Sequence, residues 1–205
     1  MLMIKEIIGL IAVSLVIIAY VPYIRNILLK RVSPHPFSWL VWSVTATSIF
    51  FLQTANGSGA GAYTTATVAI FAFTVFLLAR RNRKVKPQLF DIICLVVACL
   101  GIVVWLFIQQ PMVSIIILLS VEMLGFVLTF RQGWKKPHNE SALLWATNSL
   151  RHTTGFMAIS NYNFITMLNP IVWTIIGTSF AITLISRRKL VRKHFWNKRR
   201  FKPYN

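Results

Sequence analysis

Seven stretches of this chain run for 17 to 24 residues on mostly apolar side chains: Ile4–Ile27, Phe37–Gln53, Ala60–Ala79, Leu89–Ile108, Pro111–Phe130, Ala142–Ser160 and Met167–Ser186. About 20 such residues in a helix cross the roughly 30 Å of hydrocarbon in a bilayer. No single soluble core can hide seven of them. Of the 205 residues, 56% are hydrophobic and 13% charged, and the mean hydropathy is +0.65. Soluble domains carry about twice that share of charge. Inside hydrocarbon a backbone must satisfy its own polar groups, so spans of this length are helices. The expectation is an all-α integral membrane protein of seven transmembrane helices.

The formal charge is +18. In a soluble chain that would suggest nucleic acid, but the placement of the charge argues otherwise. Arg25, Lys30 and Arg31 lie at the first connection, Arg80 to Lys86 at the third, Arg131, Lys135 and Lys136 at the fifth, and Arg187 to Lys202 after the last span. Together these are 20 of the 22 Lys and Arg residues, all on one side of a seven-span plan. The opposite loops, TANGSGAG, QQ and NYN, carry none. Basic connections stay cytoplasmic, which predicts the N-terminus outside and the C-terminus inside. Lys5 sits near the outer end of span 1 and can snorkel; only Arg151 has no such escape. The start MLMIKEIIGL shows no cationic leader and no small-residue cleavage site, so span 1 is expected to be retained. Cys94 and Cys99, five residues apart in one helix, face different sides, so no disulfide joins them. The basic, aromatic tail is expected to rest on anionic lipid, and no nucleic-acid partner is expected. A homo-oligomer is compatible with the plan.

One segment occurs twice. Pro34, His35, Ser38, Leu40 and Trp42 of SPHPFSWLVW recur 103 residues later as Pro137, His138, Ser141, Leu143 and Trp145 of KPHNESALLW. Both copies follow a basic connection and open a span. The ARR ending span 3 and the SRR ending span 7 recur at an offset of 107. Two three-helix units are therefore expected, 1–81 and 111–188, with 82–110 as a linker helix and 189–205 as a cytoplasmic tail. An odd linker span keeps the two units in the same orientation, so the repeat is parallel.

This 3+1+3 plan resembles the SWEET facilitators and the wider PQ-loop family, a parallel-repeat transporter type. The segment Ala19–Trp42, with a proline late in the first helix, a basic stretch, a Ser-Pro turn and an aromatic-rich second helix, is similar to the PQ-loop pattern. Tyr23 stands where that pattern has glutamine, and Gly125 stands at the offset position of Pro22. The resemblance implies a carrier of a small polar solute in a bacterial inner membrane, a sugar first and an amino acid or other zwitterion second, with no cofactor. It implies hinges at Pro22, Tyr23, Gly125 and Pro170. It also makes Asn169 similar in type to the asparagine that lines the sugar site in the third helix of a SWEET unit. Nicotinamide riboside transporters resemble the same plan in the reverse orientation, against which the charge asymmetry speaks.

The chemistry is expected on span 6. Ser141, Trp145, Asn148, His152 and Gly155 fall on one helical face, and Ser38, Trp42 and Thr45 repeat it more weakly on span 2. A polar stripe faces the bundle interior, because unsatisfied polar groups cost several kcal/mol against lipid. It can line a solvated cavity with Trp42 and Trp145 as walls, or glue helices together; the two tryptophans alone also fit an interfacial belt. Glu122 and Arg151 both reach the membrane middle, where a charge is expensive unless paired. They read as an ion pair, structural or working. Their offset counterparts, Ala19 and Ser48, break the repeat at that point. His35 and His138 read as interfacial turn residues, with no second His or Cys at metal-ligand spacing.

Two other classes remain beside the carrier. A receptor or scaffold resembling the KDEL receptors would pack the stripe closed, without a central cavity. A membrane enzyme could use His152 and Glu122 as acid and base, but no nucleophile or metal set accompanies them.

Overall fold

The computed structural model describes residues 2–81, 88–108 and 110–200. Among them the chain is all-helical: α1 (Leu2–Leu28), α2 (Pro36–Ala55), α3 (Tyr63–Arg81), α4 (Leu89–Phe107), α5 (Pro111–Lys135), α6 (Ala142–Met157) and α7 (Phe164–Arg200), with a 3₁₀ turn at Gly59–Ala62. The basic residues Arg83, Lys84 and Lys86 of the third connection, and the tail's Phe201, Lys202 and Tyr204, lie outside the described residues.

Each of the seven apolar runs is a helix, but they are not equivalent. Five stretches are long and apolar enough to cross a membrane by themselves: Met3–Leu28, Gly59–Arg81, Leu89–Phe107, Pro111–Lys135 and Phe164–Val191. The exceptions are α2 and α6. α6 has only 16 residues, about 24 Å at 1.5 Å each. α2 has 20, diluted by Ser, Thr and Gln. These two carry the polar stripe, and neighbours rather than lipid cover that face.

The helices pack in a regular pattern. α3 lies against both α1 and α2, and α7 against both α5 and α6. Across the middle α1 packs on α6 and α2 on α5, while α4 rests on α5 and, more lightly, on α2. The largest aromatic and aliphatic cluster runs through α1, α2, α3, α5, α6 and α7, with Tyr23, Val75, Phe180 and Leu184 fully enclosed. Large apolar side chains on the outer faces of α1 and α4, such as Ile18, Leu100 and Phe107, are exposed, as a lipid-facing surface requires.

Local starts and stops follow the sequence, with one departure from the repeat. His35 caps α2 and Pro36 takes its first turn, where its missing N–H costs nothing. The second copy has Asn139 in place of Pro36, and α6 starts later. Ser141 becomes its N-cap, its hydroxyl accepting from the Leu144 amide at 3.2 Å. His35 is therefore buried and His138 exposed. The expectation of two matching interfacial turn residues fails for His35.

α7 also differs from expectation at both ends. It begins at Phe164, so Asn169 and Pro170 lie inside the helix rather than at its start. It continues as one helix to Arg200, because no Gly or Pro interrupts 178–202; the tail up to that point extends span 7.

Contacts join the bundle at both ends. At one end Ser160 and Asn161 donate their amides to the Ser58 and Gly57 carbonyls, at 3.0 and 3.1 Å. Gly57 makes that loop possible, since its φ of +79° is open to glycine at little cost. The Lys5 ammonium donates to the Ile159 carbonyl at 2.5 Å, just past the C-terminus of α6, where a cation complements the helix dipole. At the other end the Ser33 amide donates to the Asn139 carbonyl at 3.3 Å, and Arg188 donates to the carbonyls of Pro137, at 2.9 Å, and Glu140.

Candidate functional site

Between α1–α3 on one side and α5–α7 on the other lies a cavity, partly open to solvent, with about 550 Å³ of non-atom space when the open part is counted. All six of these helices line it and α4 does not.

The α6 stripe forms one wall. Trp145, Asn148 and His152 face the cavity together with Arg151, while Gly155, a turn further on, packs against Thr64 of α3. Trp42 and Trp145 are buried and meet edge to face at 5.8 Å. That overturns an interfacial belt for this pair. Trp42 also meets Trp39 at 5.2 Å and Trp173 at 5.7 Å, so three helices contribute one aromatic wall. His152 lies parallel to Trp173, 6.2 Å between ring centres.

Gly125, expected as a hinge, has a packing role. A Cβ there would come within 3.0 Å of the Trp42 indole nitrogen. That nitrogen donates to the Glu122 carbonyl at 3.0 Å. The bare glycine lets the indole lie against α5.

Glu122 is 4% exposed and well supplied with donors. Trp173 Nε1 donates at 2.6 Å and Asn169 Nδ2 at 3.0 Å, both to Oε2. Thr45 Oγ1 lies 3.2 Å from Oε1 but also 2.9 Å from the Val41 carbonyl, and its single proton serves one at a time. Thr45 thus reaches the cavity only through this carboxylate. Asn169 points inward from the second turn of α7, with the buried Pro170 beside it.

Arg151 is arranged differently. Its Nε and Nη2 donate to Asn148 Oδ1, at 2.9 and 2.5 Å, and Nη1 has no hydrogen-bond partner. The expected direct Glu122–Arg151 ion pair is not formed: the ion pairs among the described residues join Asp91 to His35 and Arg131. The carboxylate is held by α2 and α7 and the guanidinium by its own helix, so each charge faces the same cavity separately.

The hinge positions on α1 separate in the same way. Pro22 is exposed on the outer face of a continuous helix. Tyr23 is 1% exposed and donates from its hydroxyl to Glu140 Oε2 at 3.3 Å, linking α1 to the connection before α6. Glu140 is itself 1% exposed, and burial pushes its carboxyl up to about 8. Its Oε1 has no hydrogen-bond partner. Nearby, His35 Nε2 lies 3.5 Å from Asp91 Oδ2, whose other oxygen accepts from Arg131 at 2.8 Å. Burial lowers the His35 imidazole below its usual value, against the pull of Asp91. These contacts tie α4 to α2 and α5.

Sequence reasoning missed Tyr20, Trp39 and Trp173 on the cavity wall and the buried Glu140 that accepts from Tyr23. Trp173 carried a signal, since it follows Asn169 by four residues and shares its helical face. Glu140 had none, because an acid before a helix start reads as a solvated charge. No group of three or more His, Cys, Asp or Glu suited to a metal occurs among the described residues. Searches of family models, curated proteins and solved structures find no match for this chain.

Proposed function

We propose that the chain is a membrane carrier that passes a small polar solute through the central cavity, the two sets of three helices rocking to open its ends alternately. The observation that carries this reading is the cavity itself. It lies where two three-helix sets meet, and it holds a carboxylate and a guanidinium that do not neutralise each other by contact. Closed packing of the α6 stripe would have favoured a receptor or scaffold.

The packing supports two parallel units, 1–81 and 111–188, joined by α4. α3 sits with α1 and α2 as α7 sits with α5 and α6, and the α1–α6 contact is matched by α5–α2. Exchanging the units exchanges these pairs. On this reading all seven helices cross, α2 and α6 as inner helices shielded from lipid, and the basic connections face the cytoplasm. The plan is that of the SWEET and PQ-loop carriers, with sites at pseudo-symmetric unit boundaries. Contacts at both ends of the bundle, Tyr23 with Glu140 and Ser58 with Ser160, fit gates on either side of the site.

The test is flux. Purified full-length protein in liposomes should admit at least one solute, from a panel of neutral sugars, amino acids and small carboxylates, faster than empty liposomes do. Folded, inserted protein that speeds none of them would overturn the carrier reading.

A further inference from the structure

We infer that the solute presents a carboxylate to the Nη1 edge of Arg151, so that the cavity is an oxyanion site rather than a sugar site. The inference rests on the carrier reading for the word solute, and on the geometry of the cavity for the rest.

The two cavity charges are not in the same state. Glu122 draws on two dedicated N–H donors and a shared hydroxyl, contributed by α2 and α7. A carboxylate so supplied has little need of a further partner. Arg151 has five N–H groups in a planar fork. Its Nε and Nη2 are spent on one amide oxygen, which fixes the guanidinium plane. Its Nη1 is buried, unpartnered and part of a side chain that lines the cavity. A buried donor on a cation that lacks an acceptor is costly, and more so inside a membrane. Asn148 supplies no charge and Glu122 makes no direct pair, so an incoming oxyanion is the missing acceptor. The fork geometry matches a carboxylate well.

Next to Arg151 along α6, His152 also lines the cavity, and its Nε2 has no partner. In the tautomer with the proton on that nitrogen, it adds a second donor. The Trp42, Trp145 and Trp173 rings leave apolar faces for the rest of the molecule. Asn148 and Asn169, the side-chain amides on the wall, already serve the two charges.

Carboxylate could arrive as a simple acid anion or as one end of a zwitterion, and the experiment separates them. Detergent-purified full-length protein at about pH 7 is titrated with acetate, benzoate, glycine and phenylalanine. The matched neutral-acid amides are acetamide, benzamide, glycinamide and phenylalaninamide, with glucose as a neutral control. Tryptophan fluorescence and melting temperature are read together, since four tryptophans line the cavity. At least one carboxylate should bind and its amide should not. Arg151→Gln should weaken that binding by about tenfold or more, and Arg151→Lys should recover only part of it, because it keeps charge but loses the fork. Response to benzoate or acetate names a simple anion; response confined to glycine or phenylalanine names a zwitterion. If no carboxylate outperforms its amide, or if Arg151→Lys binds as well as wild type, the inference falls. Glucose flux through liposomes, with binding indifferent to Arg151, would sink this inference and leave the carrier reading standing.

Discussion

Replacing Glu140 by glutamine should change how stability depends on pH. Glu140 is enclosed between α1, α6 and α7, with Tyr23 donating to one oxygen and nothing to the other. Burial raises its carboxyl from 4.5 to about 8, and the Tyr23 hydroxyl, the Trp145 indole and the Arg188 charge pull it back only in part. A raised pKa means that the folded chain binds this proton more tightly than the unfolded one. The stabilisation is full below about pH 4.5 and is lost as pH rises through about 8. Each tenfold difference in proton affinity is worth about 1.4 kcal/mol. The interval from 4.5 to about 8 therefore corresponds to a loss on the order of 4–5 kcal/mol. The assay is thermal unfolding in detergent from about pH 5 to 9. Wild type should melt progressively lower across that range, most steeply below pH 8. Glu140→Gln keeps the acceptor for Tyr23 and cannot ionise, so its profile should be flatter and cross above wild type at high pH. Parallel profiles would refute the reasoning and mean that Glu140 is hydrated in the folded protein.

Trp173→Phe keeps the ring in the aromatic wall but removes the N–H that lies 2.6 Å from Glu122. It should cost about 1.5–3 kcal/mol in a wild-type background and about 0.5–1.5 when Glu122 is already glutamine, read by melting. Asn148→Leu frees the whole Arg151 fork and should lower flux or binding far more than Thr45→Val, which removes only a shared donor; equal effects would make the α6 stripe helix glue. Cysteines at Thr54 and Asn161 should react with an impermeant thiol reagent outside whole cells, and cysteines at Arg31 and His138 should not. The reverse pattern would turn the topology over.

The helices were legible because hydropathy and length act locally. Their limits moved only where capping decided them, as at Ser141, or where nothing stopped the helix, as after Ser186. Trp145, Asn148, Arg151 and His152 could be grouped from spacing alone, since one helix carries them. Glu122 and Asn169 could each be singled out on its own helix, but their hydrogen bond joins α5 to α7 and depends on how the helices rotate against each other. The Glu122–Arg151 pairing failed for the same reason. Donors on α2 and α7 claimed the carboxylate and Asn148 claimed the fork. Glu140 escaped notice because its burial depends on Tyr23, 117 residues away.

The packing of α1 on α6 sets a timetable for synthesis. The first three helices leave the ribosome before their partners exist. Thr45 then waits 77 residues for Glu122, and Lys5 waits 154 for Ile159. At about 5–20 residues per second, the longer wait is on the order of ten to thirty seconds. Throughout it, Tyr20, Tyr23 and the two tryptophans of α2 present an unfilled aromatic face to lipid or to the insertion machinery. The nascent half is thus most exposed to mispairing and to quality control during that interval. A substitution that slowed elongation between α3 and α6 would lower the yield of protein without touching the finished structure.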